Sequence, residues 1–224
     1  MNNYLLPILA VIFGVALASI SNKKRMFNTR LLLSFSGAFL LALTLFEMLP
    51  EVYEHVDSKL AGLFIMGGIL LQIVLEFFSK GAEHGHIHVH KHETDFPWAL
   101  FISLCVHSFL EGFSIHGHND MVYGILIHKI PIAALISMFL LQSHYNKTQI
   151  ASFLIIFAIM TPLGTFISNT AVAIQDYTYI INAFVIGIFF HISTTILFES
   201  SEGHKFNLSK LVSIILGVIM AYLI

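Results

Sequence analysis

The chain has 224 residues, of which 57% are hydrophobic and only 11% are charged, and its mean hydropathy is +0.83. Soluble domains carry about 25% charged residues, so this composition excludes an ordinary soluble domain and indicates a polytopic membrane protein. The formal net charge of −2 says nothing about nucleic acid, but no basic patch interleaved with aromatic residues appears, so we expect no nucleic-acid partner. The single Cys105 excludes a multi-thiolate metal site.

Apolar runs long enough to cross a bilayer, which takes roughly 20 residues, follow one another along nearly the whole chain. The predicted spans are residues 4–20, 31–53, 60–79, 97–117, 121–143, 150–172, 178–199 and 207–224. Because these runs are continuous, they predict helices and not short alternating strands. We therefore expect an all-α integral membrane protein with one transmembrane domain over residues 1–224.

Lysine and arginine residues lie mainly on one side of this predicted bundle. Nine of the eleven fall in odd-numbered loops, whereas Lys59 lies on the opposite side and Lys129 lies within a span. Positive residues favour the cytoplasmic side of a membrane, so we expect the odd-numbered loops to be inside. Because the number of predicted spans is even, both termini are then expected outside. Short loops without organellar signals favour a prokaryotic plasma (inner) membrane.

Three residues of metal-ligand types lie within the fourth and fifth predicted spans. His107 and Glu111 are four residues apart, so they share one helix face about 6 Å apart along the axis. Counting from Asn119 in the connecting turn, Glu111 is eight residues back and His128 nine residues forward. Antiparallel helices with this spacing bring His128 to the depth of Glu111, so three ligands can converge.

Ionisable side chains at bilayer depth are costly, and they generally have a functional role or a polar partner. Imidazole and carboxylate ligands suit divalent cations of intermediate softness, so we expect a metal site of His107, Glu111 and His128 that takes zinc, iron, manganese or cadmium. The alternative is that the three residues only join helices by hydrogen bonds. Lys129, beside His128, needs a carboxylate, a carbonyl or an aqueous cavity nearby.

The motifs around these residues resemble those of a known family. His107-Ser-Phe-Leu-Glu111-Gly112 is similar to the helix-four signature of the ZIP (Zrt/Irt-like protein) metal transporters, and His128-Lys129-Ile-Pro131 to their helix-five signature. The resemblance implies a ZIP-like bundle of eight helices that moves divalent metal ions, zinc above all, toward the cytoplasm. It also implies that His107, Glu111 and His128 form the primary metal site.

Three positions depart from the family pattern. Ser108 stands where many members have Asn, Lys129 where many have a carboxylate, and Ile132 where many have a further ligand. Members with two metals use such positions for the second ion, which Lys129 would repel. We therefore predict a single-metal site in which Lys129 is a fixed charge in place of a second ion, and in which the fourth ligand is water or comes from another helix.

Further polar residues lie along the expected path of an ion. Two pairs of residues near the outer ends of predicted spans two and four are candidates for admitting cations. They are Glu47 and Glu51 at the second span, and His116 and His118 at the fourth. His191 lies deep in the seventh predicted span and is a candidate for lining the inner part of the ion path. The cytoplasmic loop 80–96 is rich in histidines that can bind such metals weakly: His84, His86, His88, His90 and His92.

Two other classes of function remain open at the level of sequence. A membrane-embedded zinc-dependent hydrolase would also bury histidines and carboxylates, but the HExxH string of zinc proteases is absent. A cation transporter of another class is the second alternative. We expect no enzyme activity and no cofactor beyond the transported metal, with the lipid bilayer and the divalent ion as partners. The oligomeric state is open, and a homodimer is the candidate assembly.

Overall fold

The computed structural model describes residues 2–24, 29–79, 96–115, 120–199 and 208–224. Within these ranges the chain forms helices joined by short turns and contains no strand, so the predicted all-α fold is confirmed. The helices in chain order are α1 (Asn2–Lys24), α2 (Thr29–Leu43), α3 (Leu49–His55), α4 (Ser58–Ser79), α5 (Trp98–Glu111), α6 (Met121–Gln142), α7 (Lys147–Thr170), α8 (Val172–Gln175), α9 (Thr178–Glu199) and α10 (Leu208–Tyr222).

A helix occupies each of the eight intervals that the hydropathy pattern predicts. Seven helical stretches in the described ranges are long and apolar enough to cross a bilayer, and α10 is a shorter apolar helix of 15 residues. Large apolar side chains cover the outside of the bundle, such as Leu63, Phe77 and Phe198. Such an apolar exterior suits contact with lipid.

The second predicted span, residues 31–53, is one helical run that changes its hydrogen-bonding pattern. A π-helical turn, Thr44–Met48, joins α2 to α3, and Pro50 lies in the first turn of α3. Proline has no backbone donor, so it is tolerated where a helix begins and disturbs the turn before it. The fourth span similarly continues from α5 into a 3₁₀ turn, Gly112–Ile115.

The helices pack in pairs, and α7 contacts both α5 and α6. α1 packs against α6 and α7, α5 packs against α7, α4 against α9, and α10 against α2. Helix α2 also contacts both α6 and α9, and α4 contacts α5. The polar residues of α5 and α6 therefore lie in the interior of the bundle, with helices on several sides.

Glycine residues allow two of these crossings to be very close. A Cβ atom at Gly187 of α9 would lie 1.9 Å from the carbonyl oxygen of Ile65 in α4. A Cβ atom at Gly164 of α7 would lie 2.0 Å from the carbonyl oxygen of Phe109 in α5. Small residues let helix backbones touch where hydrophobic burial alone drives little association. The second crossing fixes α7 against the helix that carries His107 and Glu111.

Candidate metal centre

The first two candidate ligands lie one turn apart on the buried face of α5. Nε2 of His107 is 2.8 Å from Oε1 of Glu111, and the side chains are 4% and 1% exposed. The i, i+4 spacing stacks these side chains on one face, and that face is turned into the bundle. One turn of α5 thus supplies an imidazole and a carboxylate at bilayer depth.

The third candidate ligand comes from α6, which reaches the α5 residues through its side chains. Nε2 of His128 is 3.9 Å from Oε1 of Glu111, and the rings of His107 and His128 are 6.2 Å apart at an interplanar angle of 79°. One ligand atom from each of the three residues lies within 4.8 Å of the others. The structure therefore brings together the three residues that the sequence places at equal depth.

Lys129 lies beside this cluster and is almost wholly buried. Its Nζ atom is 2.7 Å from Oε2 of Glu111 and 2.7 Å from Oγ of Ser108, and it lies 4.7 Å from the ring centroid of Phe157. A carboxylate, a hydroxyl and an aromatic face together meet the three N–H directions of the ammonium group. The lysine therefore pairs with the carboxylate on the side away from the imidazoles.

Helix α7 contributes a residue that the sequence analysis did not single out. Oγ1 of Thr161 donates to the backbone oxygen of Ser108 at 2.9 Å, and it lies 3.0 Å from Oγ of Ser108 and 3.4 Å from Oε2 of Glu111. One signal was present in the sequence: Thr161 precedes Pro162 and Gly164 in an otherwise apolar span. Such a group of polar and small residues favours a helix contact.

A second histidine–carboxylate contact joins α4 and α9. Nε2 of His191 contacts Oε2 of Glu76, and the two side chains are 17% and 21% exposed. Oγ of Ser103, one turn before His107, donates to the backbone oxygen of Leu75 at 2.6 Å. His191 is therefore separate from the central cluster but lies beside the α4–α5 contact.

The remaining predicted path residues differ in how the structure describes them. Glu47 is exposed on the π-helical turn, and Glu51 is half-buried in α3. The backbone oxygen of Glu51 lies 2.9 Å from Nδ1 of His55, whose ring stacks on Tyr179 at 4.0 Å. The other predicted residues lie outside the described ranges: His84, His86, His88, His90, His92, His116 and His118.

The geometry of the cluster suits a small divalent cation. In a tetrahedral zinc site with bonds near 2.0–2.2 Å, ligand atoms lie about 3.3–3.6 Å apart. The three candidate ligand atoms already lie within 4.8 Å, so modest side-chain rotations would close the site. Oε1 of Glu111 faces both imidazoles, so the carboxylate oxygen and the two ring nitrogens could bind the same ion.

The fold and this cluster define a polytopic membrane protein with two histidines and one glutamate buried together in its interior. Comparison with protein families matches residues 83–224 to the ZIP zinc transporters. Because this match spans more than half of the chain, the protein belongs to the ZIP family of zinc transporters. It is accordingly an integral membrane protein, and the family likeness predicted from the two helix motifs is confirmed.

Curated relatives are similar to parts of the chain. A protein named "Zinc transporter ZIP1" from Danio rerio is 33% identical over 36% of the chain and 29% of its own length. The protein of that name from Plasmodium falciparum is 32% identical over 55% of the chain and 37% of its own length. The one from Bos taurus is 27% identical over 58% of the chain and 55% of its own length. The chain thus covers less than two thirds of each relative.

Proposed function

We propose that the protein moves divalent cations, zinc foremost, across a membrane toward the cytoplasm through a site that holds one ion. The observation that carries this proposal is the buried convergence of His107, Glu111 and His128, with ligand atoms within 4.8 Å. Ionisable residues inside a membrane bundle mark ion pathways in many transporters. The family membership supports the same function, and the zinc named in the curated relatives supports zinc as the substrate.

The ligand set accounts for the choice of substrate. Two imidazoles and one carboxylate oxygen suit zinc and related ions such as iron, manganese and cadmium, and no thiolate is offered that would favour copper(I). The ion enters as a substrate and is not a resident cofactor. Water or a side chain from another helix completes the coordination shell.

Lys129 limits the site to a single ion in this proposal. Its ammonium lies 2.7 Å from Oε2 of Glu111, where a second cation bridged by the carboxylate would otherwise lie. At such short range in a poorly polarisable interior, a positive charge strongly repels another cation. Lys129 thus supplies a permanent positive charge and is not itself a ligand.

Transport requires that the ion bind tightly enough to enter and weakly enough to leave. The bond between His107 and Glu111, 2.8 Å in length, must open when an ion takes its place and can re-form when the ion departs. This exchange lowers the net affinity, because each ion displaces an existing interaction. The buried site therefore binds the ion transiently during transport and does not hold it permanently.

Other residues serve the path on either side of this waypoint. Glu47 and Glu51 would attract cations at the outer end, together with His116 and His118. His191, in contact with Glu76, would line the inner path. The histidines of loop 80–96 would collect or hand on ions on the cytoplasmic side. Nine of the eleven Lys and Arg residues lie in the odd-numbered loops, which supports the cytoplasmic location of this loop.

Two finer points complete the proposal. The short loops favour a prokaryotic plasma membrane, and assembly as a homodimer is a candidate that mass measurement of the detergent-solubilised protein would decide.

The hydrolase alternative is not favoured, because the family consists of transporters and the three ligands fit a passing ion. A cation carrier of another class is disfavoured for the same reason.

Zinc uptake by the purified chain in lipid vesicles tests the proposed function. We expect saturable uptake of zinc by the wild-type protein and its loss, by at least about 100-fold, in His107→Ala, because one of three protein ligands disappears. His144→Ala is a matched control, since His144 is exposed between α6 and α7. Uptake by His107→Ala equal to that of His144→Ala would reject the proposal.

A further inference from the structure

The two oxygens of the Glu111 carboxylate have different surroundings. Oε1 faces the imidazoles, 2.8 Å from Nε2 of His107 and 3.9 Å from Nε2 of His128. Oε2 faces Nζ of Lys129 at 2.7 Å and Oγ1 of Thr161 at 3.4 Å. Only Oε1 is therefore directed toward the proposed ion, and Oε2 is held on the opposite side.

A chain of hydroxyl groups holds the ammonium that engages Oε2. Lys129 donates to Oγ of Ser108 at 2.7 Å, and that hydroxyl lies 3.0 Å from Oγ1 of Thr161. Thr161 in turn donates to the backbone oxygen of Ser108 at 2.9 Å. Each hydroxyl can then accept one hydrogen bond and donate another. The position of the Lys129 ammonium thus depends on a side chain of α7.

The backbone contact between α5 and α7 makes this support rigid. A Cβ atom at Gly112 would lie 2.3 Å from the backbone oxygen of Thr161, so the two helices touch beside the threonine. Oγ1 of Thr165 also donates to the backbone oxygen of Gly112 at 3.0 Å. Thr161 cannot move away from Ser108 and Glu111 without separating these backbones.

We propose that Thr161 is a positioning residue that acts through Ser108 and Lys129 to keep Glu111 a one-oxygen ligand, and thereby selects zinc over manganese. This inference rests on the proposed transport function and adds to it the basis of ion selection. Zinc is satisfied by four ligands in a tetrahedron, so two imidazoles, one carboxylate oxygen and one further ligand suffice. Manganese prefers a larger, oxygen-rich octahedral shell, which a two-oxygen carboxylate would help to complete.

Substitution of Thr161 by valine removes the hydroxyl but keeps the shape of the side chain. In vesicles that contain zinc and manganese together, we expect the ratio of manganese to zinc uptake to rise about threefold to tenfold in Thr161→Val, the range set by one buried hydrogen bond. Thr161→Ser retains the hydroxyl, so we expect it to keep the wild-type ratio of manganese to zinc uptake. Ser108→Ala raises the ratio as well, and combining it with Thr161→Val adds little, because both act through one chain of bonds.

Thr165→Val is a matched control for the helix contact. Thr165 lies one turn further along α7, and its hydroxyl donates to the backbone oxygens of Gly112 and Thr161 at 3.0 and 3.1 Å. Its substitution therefore removes a buried side-chain hydroxyl of the same helix contact without removing the Thr161 hydroxyl. We expect its manganese-to-zinc ratio to equal that of the wild type. A ratio of two ions measured on one sample does not depend on the folded fraction, so a loss of stability alone leaves it unchanged.

The result that overturns the inference is an unchanged ratio in Thr161→Val, or an equal rise in Thr161→Val and Thr165→Val. X-ray absorption of bound zinc gives a second readout: one short carboxylate oxygen is expected in the wild type, and a two-oxygen carboxylate there would also overturn the inference. Failure of the transport proposal is distinguishable, because it shows as absence of uptake of either ion by the wild-type protein.

Discussion

Lys129 and Glu111 form an ion pair in the interior of the helix bundle, with Nζ of the lysine 2.7 Å from Oε2 of the glutamate and both side chains 1% exposed. Removing one partner of a buried pair leaves a charge uncompensated, which generally costs about 3–5 kcal/mol. The lysine therefore orients the carboxylate and occupies the space beside one of its two oxygens.

Replacing the lysine by a carboxylate reverses the charge beside Glu111. We expect Lys129→Glu to bind about two zinc ions per chain at saturation, where the wild type binds about one, because two carboxylates attract and bridge a second cation. Elemental analysis of the dialysed protein measures this, with the histidines of loop 80–96 replaced in every sample. Lys147→Glu, at an exposed site, is the control.

An unchanged stoichiometry, together with unchanged ion selectivity, would count against Lys129 as the substitute for a second ion. A gain in Lys147→Glu equal to that in Lys129→Glu would show only that negative charge attracts zinc to the protein surface. The comparison of the two variants separates a buried site from general electrostatic attraction.

The close crossing of α5 and α7 predicts a strong effect of one methyl group. A Cβ atom at Gly164 would meet the backbone oxygen of Phe109 at 2.0 Å, whereas one at Gly62 has open space. We expect Gly164→Ala to reduce the free energy of unfolding by about 1–3 kcal/mol and the Tm by about 3–10 °C. Gly62→Ala should be neutral or slightly stabilising. Equal Tm values for the two variants would contradict the crossing.

The contact between His191 and Glu76 predicts energetic coupling between α4 and α9. In a double-mutant cycle with His191→Ala and Glu76→Ala, we expect a coupling of about 0.5–3 kcal/mol in the free energy of unfolding, because the side chains touch. The same cycle with Glu47→Ala, whose residue is exposed on the π-helical turn, should be additive. An additive His191–Glu76 cycle would argue that the contact contributes nothing to helix association.

The orientation in the membrane is testable with single cysteine residues. Cys105 is buried, so a Cys105→Ala background in which one exposed lysine becomes cysteine gives a clean reporter. We expect a membrane-impermeant maleimide to label Lys59→Cys in intact cells, and Lys147→Cys only after lysis, because the distribution of positive residues places them on opposite sides. The reverse pattern would invert the proposed direction of transport.

Hydropathy and helical periodicity were sufficient to predict the all-α fold and the convergence of the central residues. His107 and Glu111 share a face because of their spacing alone, and His128 lies only 17 residues after Glu111, on the next long helix of the chain. These relationships join residues that are close along the chain, so the sequence alone is enough to predict them.

Contacts between helices that are distant in sequence are much harder to predict from the sequence. Thr161 touches Ser108, 53 residues earlier, and nothing local indicates which of the other helices lies beside α5. Gly164 indicates a close helix crossing, but the sequence does not indicate which helix packs against it. The π-helical turn at Thr44–Met48 was also missed, because hydropathy does not report which carbonyl each backbone N–H group bonds.

Zinc binding and zinc uptake, measured on the same preparation of His128→Ala, show whether His107, Glu111 and His128 together form a transport site. His128 joins α6 to the two ligands of α5, so its loss leaves a site of two residues. With loop 80–96 free of histidines, we expect about one bound zinc ion per chain and saturable uptake in the parent protein, and neither in His128→Ala. Uptake that persists in His128→Ala at the parent rate would contradict this expectation.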